Sequence, residues 1–584
     1  MEYARTEEQK LVLEAELVPM KVVACAGSGK TATAVRRLLE VRQRMAESRS
    51  YAVLLSYSNT AVDTFREEYE EAAKAYKNLS KRVLICTVDS FLTTYVLAPH
   101  AHHVMGCKVR PFLVHGRELF LRNSTFQVVD GDRRMRIVDL DVRLLSGGEL
   151  HFVNPQTLKK FPFDGCKKAA LSLAATGAYS HALGRLWAVL TLQRTKGLSP
   201  ILAKKFAHIL VDEAQDIGSL HGKALLLLQR AGSVLTLVGD PHQAIFEFAD
   251  SDGSFLSNFA IPGQQFDLTL TENRRSVKEI VDLANKVSGR SSTHIRVPPI
   301  RRHGAFYLKY DTKKLPELIG TFLQVLRNND YRLNEAAILT RGKSLALKIG
   351  GGKESFGAGA TKLFAEAAVA RDVRGDISKA FNRSVDAFLR LFNLDDIGLR
   401  TNILSGERSQ LSRALRGHIW KFLKDSAAGV PDANTPADRW HSTLKERLII
   451  VIPKIENECG LTCPKSWVNN LTKRDLGKAP LYQGRIMESD DTIRVSTVHK
   501  AKGEGIAAIL YVTTGESLAG VISGPVDEEG RIGYVALTRA RDLLLLAIPK
   551  RTDEDSLRAL ATLGFVDASS AITNIVQNKT SKTK

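Results

Sequence analysis

Short apolar runs, each closing on a polar or glycine-containing loop, recur along the first half of the chain. They are "KVVACAGSGKT" from Lys21, "YAVLLSYSNT" from Tyr51, "RVLICTVDSF" from Arg82, "AHILVDEAQD" from Ala207 and "SVLTLVGDPHQ" from Ser233. Their Val, Leu and Ile residues stand side by side rather than at alternate positions. That pattern predicts strands buried on both faces of a parallel sheet, with the intervening amphipathic stretches as crossover helices. A second α/β pattern starts near Ser276, with "NEAAILTR" as a strand around Ile338 and then "TIRVSTVHKAKG" and "AAILYVTTG". Two segments interrupt the alternation. Between about Leu92 and Gly184, "RMRIVDLDVRLLSGGELHFV" predicts a β-hairpin turned at Gly147-Gly148, hence an inserted subdomain. Between about Gly350 and Gln483 the sequence is mostly helical, as in "SKAFNRSVDAFLRLF". Its entry, "GGGKESFGAGATK", has a Gly-Lys pair without a following Ser or Thr and no evident helix start, so it reads as a flexible loop. The tail "QNKTSKTK" reads as disordered.

Charge changes the picture next. Lys and Arg number 83 against 63 Asp and Glu, a formal net charge of +20 over 584 residues. An excess of that size favours a polyanion partner, nucleic acid or an anionic membrane. No apolar run approaches the roughly 18 residues of a membrane span, and "MEYARTEEQK" has no signal-peptide core. Nucleic acid and a cytoplasmic location are therefore the expectation. Of the six cysteines only Cys459 and Cys463 lie close together, with no second pair at zinc spacing, so no structural zinc is expected. His100, His102 and His103 have no acidic or cysteine neighbour that would complete a metal site.

Candidate chemistry sits where the apolar runs end. After Val22-Val23-Ala24 comes a small-residue loop with Gly27, Ser28, Gly29, Lys30 and Thr31, and then helix. Strand, loop and helix N-terminus in that order gather backbone N–H groups around a polyphosphate. Lys30 would reach the β- and γ-phosphates, and the Thr31 hydroxyl would ligate Mg2+. "ILVDEAQD" delivers Asp212 to hold Mg2+ and Glu213 to orient and deprotonate an attacking water. "VGDPHQAIFEF" offers Asp240 and Gln243, the latter suited to sensing a γ-phosphate. Phe246 and Phe248 are either hairpin core or a platform on which bases stack, at about 1–3 kcal/mol each.

These motifs, with "LTENRRS" after them, resemble the UvrD/Rep-like branch of the superfamily 1 (1A) DNA helicases, which carries Ala where Ala24 stands here. "TEEQ" (Thr6 to Gln9), "SYSNTAVDTF", "CTVDSF", "STVHKAKGEG" and "GYVALTRAR" resemble its further motifs, in order. The resemblance implies an α/β fold of two RecA-like P-loop NTPase domains, each with an inserted subdomain. Domain 1A would be 1–91 and 185–275, and 1B 92–184. Domain 2A would be 276–349 and 484–575, 2B 350–483, and the disordered tail 576–584. ATP would lie between the two RecA-like domains, contacted by Gln9, by Ala26 through Thr31, and by Arg274, Arg275, Glu504 and Arg539. Arg275 and Arg539 would be the two arginines offered to the γ-phosphate, with Lys30, Glu213 and Gln243 completing the catalytic set. Single-stranded or tailed DNA would contact Ser58, Asn59, Thr87, Ser90, Phe246, Phe248, Thr497 and His499. Departures from the family pattern are Arg274 where a Tyr is usual, Ala32 after the phosphate-loop Thr, the acid Glu504 displaced by one residue, and Val88-Asp89 in place of an aromatic-His pair.

The activity so implied is ATP-dependent 3′→5′ translocation on DNA, in repair or anti-phage defence. A narrower resemblance, on "GDPHQAIFEF", "HKAKGE" and the β-rich first insertion, is to the UvrD-like helicase subunit of Gabija anti-phage systems, whose partner is an OLD-family nuclease. The alternative is a nucleotide- and DNA-end-sensing regulatory subunit that activates a partner nuclease with little unwinding of its own.

Overall fold

The computed structural model describes residues 5–568 except 75–81, 115, 117, 132, 146–147, 247–250, 351–355, 373–374, 395–396, 406–408, 477–480, 482–484 and 489–490. Gly147, Phe248 and the expected disordered tail lie outside the described residues. The chain groups into two compact units. One comprises Met1–Lys314, Thr321–Tyr331 and Val498–Lys584, the other Leu315–Gly320 and Arg332–Thr497.

The first unit is built on a six-stranded sheet. In chain order its strands are β1 (Met20–Ala24), β2 (Ala52–Ser56), β3 (Val83–Thr87), β4 (His208–Val211), β5 (Val234–Gly239) and β6 (Asp267–Leu270). Their order across the sheet is β6-β1-β5-β4-β2-β3, and every pairing is parallel. β2 and β4 are buried at every position, which is why their sequences are apolar without alternation. Helix α1 (Glu7–Glu14) precedes β1, and α2 (Lys30–Arg44) follows it. α2 buries Ala34, Val35, Leu38, Leu39 and Val41 on one face. The same helix buries Arg37, whose guanidinium donates to the carbonyls of Leu13, Ala15 and Glu16 at 2.7–2.8 Å. A cation on the last carbonyls of α1 satisfies acceptors that no intrahelical N–H reaches.

The expected hairpin forms between Asp141–Leu144 and Leu150–Val153, with Lys160–Phe161 added as a third strand. Its first part differs from expectation. Arg133–Arg136 pairs back onto Gln127–Asp130, because a 3-10 turn at Ile137–Asp139 buries Ile137 and breaks the alternation. One continuous apolar cluster joins this insertion to the sheet, running from Val53 and Leu55 through Phe126, Phe152 and Trp187 to Leu235.

A second parallel sheet in the same unit contains β7 (Gly304–Tyr310), β8 (Ile506–Val512), β9 (Ala540–Pro549) and β10 (Val566–Asp567). β9 pairs with β8 and β7, and β7 pairs with β10, all in parallel. The alternation of apolar runs thus yields the expected α/β architecture of parallel sheets.

The second unit is largely helical, with its core around Phe364, Phe388, Phe422 and Trp440. Trp440 Nε1 donates to the Pro431 carbonyl at 3.0 Å, so the ring is buried without stranding its N–H. The sequence reading of the entry segment is corrected from Phe356 onward, residues 351–355 lying outside the described residues. Phe356–Ala358 forms a strand against Leu471–Leu476, and a helix runs over Gly359–Asp372. The helix buries Ala360, Ala365, Ala367, Ala368 and Ala370, small side chains that let it pack closely despite the glycines before it, and inserts Phe364 into the core. Ala336–Thr340 pairs in parallel with Asp491–Thr497.

Candidate functional site

All strands of a parallel sheet end on one edge, and here that edge gathers polar loops. β1, β5 and β4 are neighbours in the sheet, so the glycine loop, Asp240–Gln243 and Asp212-Glu213 emerge side by side. In the loop Gly27 and Gly29 adopt φ of +77° and +80°, the left-handed region. A Cβ at Gly27 would stand 2.7 Å from the Arg275 Cβ and 2.8 Å from Asn273 Oδ1. Gly29 precedes α2 and supplies no side-chain cap, so the helix N-terminus keeps its N–H groups for an anion.

Asn273 fixes the loop from the next strand over. Its Nδ2 donates to Ala26 O at 2.7 Å, and its Oδ1 accepts from the N–H groups of Arg275 and Ser276. Arg274 N donates to Gly27 O at 2.9 Å. Gln9 forms a capping box with Thr6, and its Nε2 donates to Ser28 O at 3.3 Å. The predicted adenine-reading glutamine therefore also holds the phosphate loop.

Asp212 is buried, and its Oδ1 has no hydrogen-bond partner among the described residues. Burial and the adjoining Glu213 carboxylate raise its pKa well above the usual carboxylate range. An orphaned, buried carboxylate oxygen is the donor a hard divalent cation would satisfy. Glu213 itself sits at φ +50°, uncommon outside glycine, and accepts from Gln215 Nε2. Burial opposes its ionisation, but the charges of Lys30 and Lys502 hold it below its ordinary value. Two neighbouring carboxylates pushed in opposite directions are suited to different tasks.

Cations from distant sequence close on this edge. Arg539, just before β9, is fully buried. It donates to Gln243 Oε1 at 3.0 Å, Glu504 O at 3.3 Å and Val535 O at 3.1 Å. Burial, with Arg275 beside it, lowers its pKa to about 9. Arg275 donates to Thr538 O and Gly503 O at 3.3 and 3.1 Å. Arg290 donates to Asp240 Oδ1 at 2.7 Å, while Asp240 Oδ2 accepts from Gln243 Nε2. Lys502 binds both oxygens of buried Asp216, at 2.7 and 2.6 Å.

Two family models match the chain: an AAA domain over residues 9–249, and a UvrD-like helicase C-terminal domain over residues 453–551. The chain belongs to the UvrD-like superfamily 1 helicases. Its two parallel sheets are accordingly those of two RecA-like domains. Among similar proteins are the ATP-dependent DNA helicase srs2 of Schizosaccharomyces pombe and the ATP-dependent DNA helicase UvrD1 of Mycobacterium tuberculosis. The first is 25% identical over 438 residues, 62% of this chain and 48% of that protein. The second is 24% identical over 324 residues, 49% of this chain and 39% of that protein. The chain spans between 30% and 48% of the length of the curated relatives it matches.

The UvrD-like chain holds its expected nucleic-acid residues differently from its phosphate-loop residues. The Ser58 and Thr87 hydroxyls cap the helices Asn59–Ala73 and Val88–Leu92, accepting from Ala61 N and Ser90 N. Asn59 and Ser90 are exposed. Phe246 stacks on Tyr57 with centroids 5.4 Å apart, and the His499 ring lies 5.8 Å from it. His499 Nε2 is 3.0 Å from Ile245 O. Thr497 ends a strand of the second unit and is buried. Asp89, from the departing Val88-Asp89 pair, is held by His221 at 2.7 Å and lies 3.7 Å from Arg185. Among the described residues no helix is long and apolar enough to cross a membrane, and no group of three or more His, Cys, Asp or Glu gathers as a metal cage.

Sequence reasoning missed Asn273, Asp216, Lys502 and Tyr57. Each lies inside a quoted motif, so position beside a recognised residue was the available signal. Only the fold shows what each touches.

Proposed function

We propose that the chain is an ATP-dependent DNA helicase or translocase that hydrolyses ATP between its two RecA-like domains. One observation carries the reading: Arg539 reaches Gln243 on the same sheet edge that holds Lys30, Asp212 and Glu213. An arginine delivered from far along the chain stabilises charge developing on a transferring γ-phosphoryl group and ties hydrolysis to closure. In this reading Lys30 and the N–H groups from Ala26 to Thr31 bind the phosphates, and Glu213 takes the proton of the attacking water. Gln243 senses the γ-phosphate, and Arg275 and Arg539 counter its charge. Gln9, Arg274 and Glu504 line the rest of the nucleotide site. Mg2+, held by Thr31 and the orphaned Asp212 Oδ1, would neutralise charge across the β- and γ-phosphates.

The DNA side would run over Ser58, Asn59, Thr87, Ser90, Phe246, Phe248, Thr497 and His499, with the organisation 1A, 1B, 2A, 2B and 3′→5′ movement. The net charge of +20 supports a polyanion track. The test is ATP turnover by the full chain with and without oligo(dT), for the parent and for Lys30→Ala. Turnover that rises with DNA and disappears in Lys30→Ala supports the reading; turnover unaffected by Lys30→Ala overturns it.

One observation favours the second reading, a sensing subunit that activates a partner nuclease of the OLD family. Asp89 stands beside Thr87 and Ser90 where the family pattern has an aromatic-His pair, and it is tied up by His221 and Arg185, so one base contact expected there is missing. Strand displacement on 3′-tailed duplex by the chain alone separates the two. Its absence alongside DNA-stimulated hydrolysis would favour sensing.

A further inference from the structure

Lys502 is placed where three parts of the proposed machine meet. Its ammonium binds both Asp216 oxygens and donates to the Gln243 carbonyl at 2.7 Å. It also lies 5.0 Å from the centroid of the Phe246 ring. Asp216 follows Glu213 by three residues, in the 3-10 turn that Glu213 caps in the left-handed conformation, and Asp216 N donates to Glu213 O at 2.8 Å. Lys502 and Asp216 side chains are 8% and 3% exposed, so this ion pair is dry and directional rather than a solvated surface contact. Phe246, meanwhile, already has Tyr57 stacked on it and His499 beside it. A base stacking on Phe246 would compete with these neighbours for the ring.

We propose that Lys502 is the positioning residue through which occupancy of the Phe246 platform by a nucleic-acid base is communicated to the nucleotide pocket. The proposal rests on the functional reading above and goes beyond it by assigning the coupling to one side chain. A base stacked at Phe246 competes for the ring face that attracts the ammonium. Lys502 then moves relative to Asp216 and the Gln243 main chain. Gln243 carries the acceptor of Arg539 and the donor to Asp240, so its displacement alters the pocket where the γ-phosphate is read. Coupling of this kind is reciprocal: nucleotide must change DNA affinity by the factor by which DNA changes nucleotide affinity.

The test measures that factor in the full chain. Fluorescein-labelled oligo(dT) is titrated by anisotropy with no nucleotide and with a saturating non-hydrolysable ATP analogue. The parent should show a change in Kd of about fivefold or more between the two conditions. In Lys502→Met the ratio should fall to within about twofold of unity, and Lys502→Arg should restore part of it. Asp216→Asn combined with Lys502→Met removes both buried charges, and it should match Lys502→Met rather than add to it. Phe246→Leu keeps apolar bulk and loses the ring face, and it should also reduce the ratio. It serves as the readout if the charge variants fail to fold. A parent ratio near one, or a full ratio in Lys502→Met or in Phe246→Leu, overturns the proposal. If the parent neither hydrolyses ATP nor binds the oligonucleotide, the functional reading has failed; if it does both and the variants keep the ratio, only the assignment to Lys502 has.

Discussion

The proposed nucleotide pocket and the proposed aromatic platform at Phe246 lie on the same unit and are built on opposite principles. In the pocket, several side chains are buried and held by two or more partners: Asn273 joins three main-chain groups, Gln215 joins Glu213 to Asp240, and Arg539 donates to Gln243 and to main-chain carbonyls. On the proposed DNA side, Ser58 and Thr87 use their hydroxyls on helix caps, Asn59 and Ser90 stand in solvent, and Phe246 offers an aromatic ring stacked on Tyr57. Stabilising a transferring phosphoryl group requires donors fixed before the reaction begins. Gripping a strand of varying sequence requires faces that accept any base and release it. In the proposed function the contrast puts chemistry on the rigid side and strand movement on the other.

The largest effect should come from the rigid side. Glu213→Gln should lower ATP turnover by about a thousandfold or more while leaving nucleotide binding in place, because the pocket's shape survives and its proton acceptor does not. Single-turnover hydrolysis against binding of a fluorescent ATP analogue separates the two, and near-parental turnover would remove Glu213 from its role. Next, Arg539→Lys should cost about 100-fold in DNA-stimulated turnover. The ammonium keeps the charge but cannot reach Gln243, Glu504 and Val535 together as the guanidinium does. DNA affinity without nucleotide should stay within about twofold, and a matching loss there would erase the distinction between the two regions.

A pH titration probes the sheet that carries the pocket. His208 begins β4, is fully buried, and has Nε2 3.0 Å from Thr236 Oγ1. Burial, with Arg37 nearby, lowers its pKa to about 3 from 6.5. The unfolded chain therefore takes up a proton below pH 6.5 that the folded chain refuses, so this group's contribution is complete above that pH and is lost on acidification. The loss should reach about 2 kcal/mol by about pH 5. Denaturant unfolding at several pH values should show that slope, and His208→Gln should flatten it. The smallest effect belongs to the platform: Phe246→Ala should weaken oligo(dT) binding about tenfold, the scale of one lost base stack, with basal ATP hydrolysis changed far less than by Glu213→Gln. Anisotropy titration reads the first and steady-state turnover the second.

The local sequence decided which segments become buried parallel strands and which residues cap them. Consecutive Val, Leu and Ile positions can be satisfied only by burial on both faces, and glycines at positions 27 and 29 permit the left-handed turns that aim N–H groups inward. The polar ends of β1, β4 and β5 were legible for the same reason, since each follows its strand directly. Local pattern misled at Ile137–Asp139 and at Gly359–Asp372, where burial against distant partners outweighed hairpin alternation and glycine content. What the tertiary structure alone decided is which polar ends meet across the chain. Lys502 and Asp216 are 286 positions apart, Arg539 and Gln243 are 296 apart, and Asn273 and Ala26 are 247 apart. Periodicity carries no information over such separations, because it reports which face of an element is buried and not what it is buried against. The first two pairings arise where loops of the two parallel sheets meet, the third where the neighbouring strands β1 and β6 end side by side, and only the folded chain contains those facts.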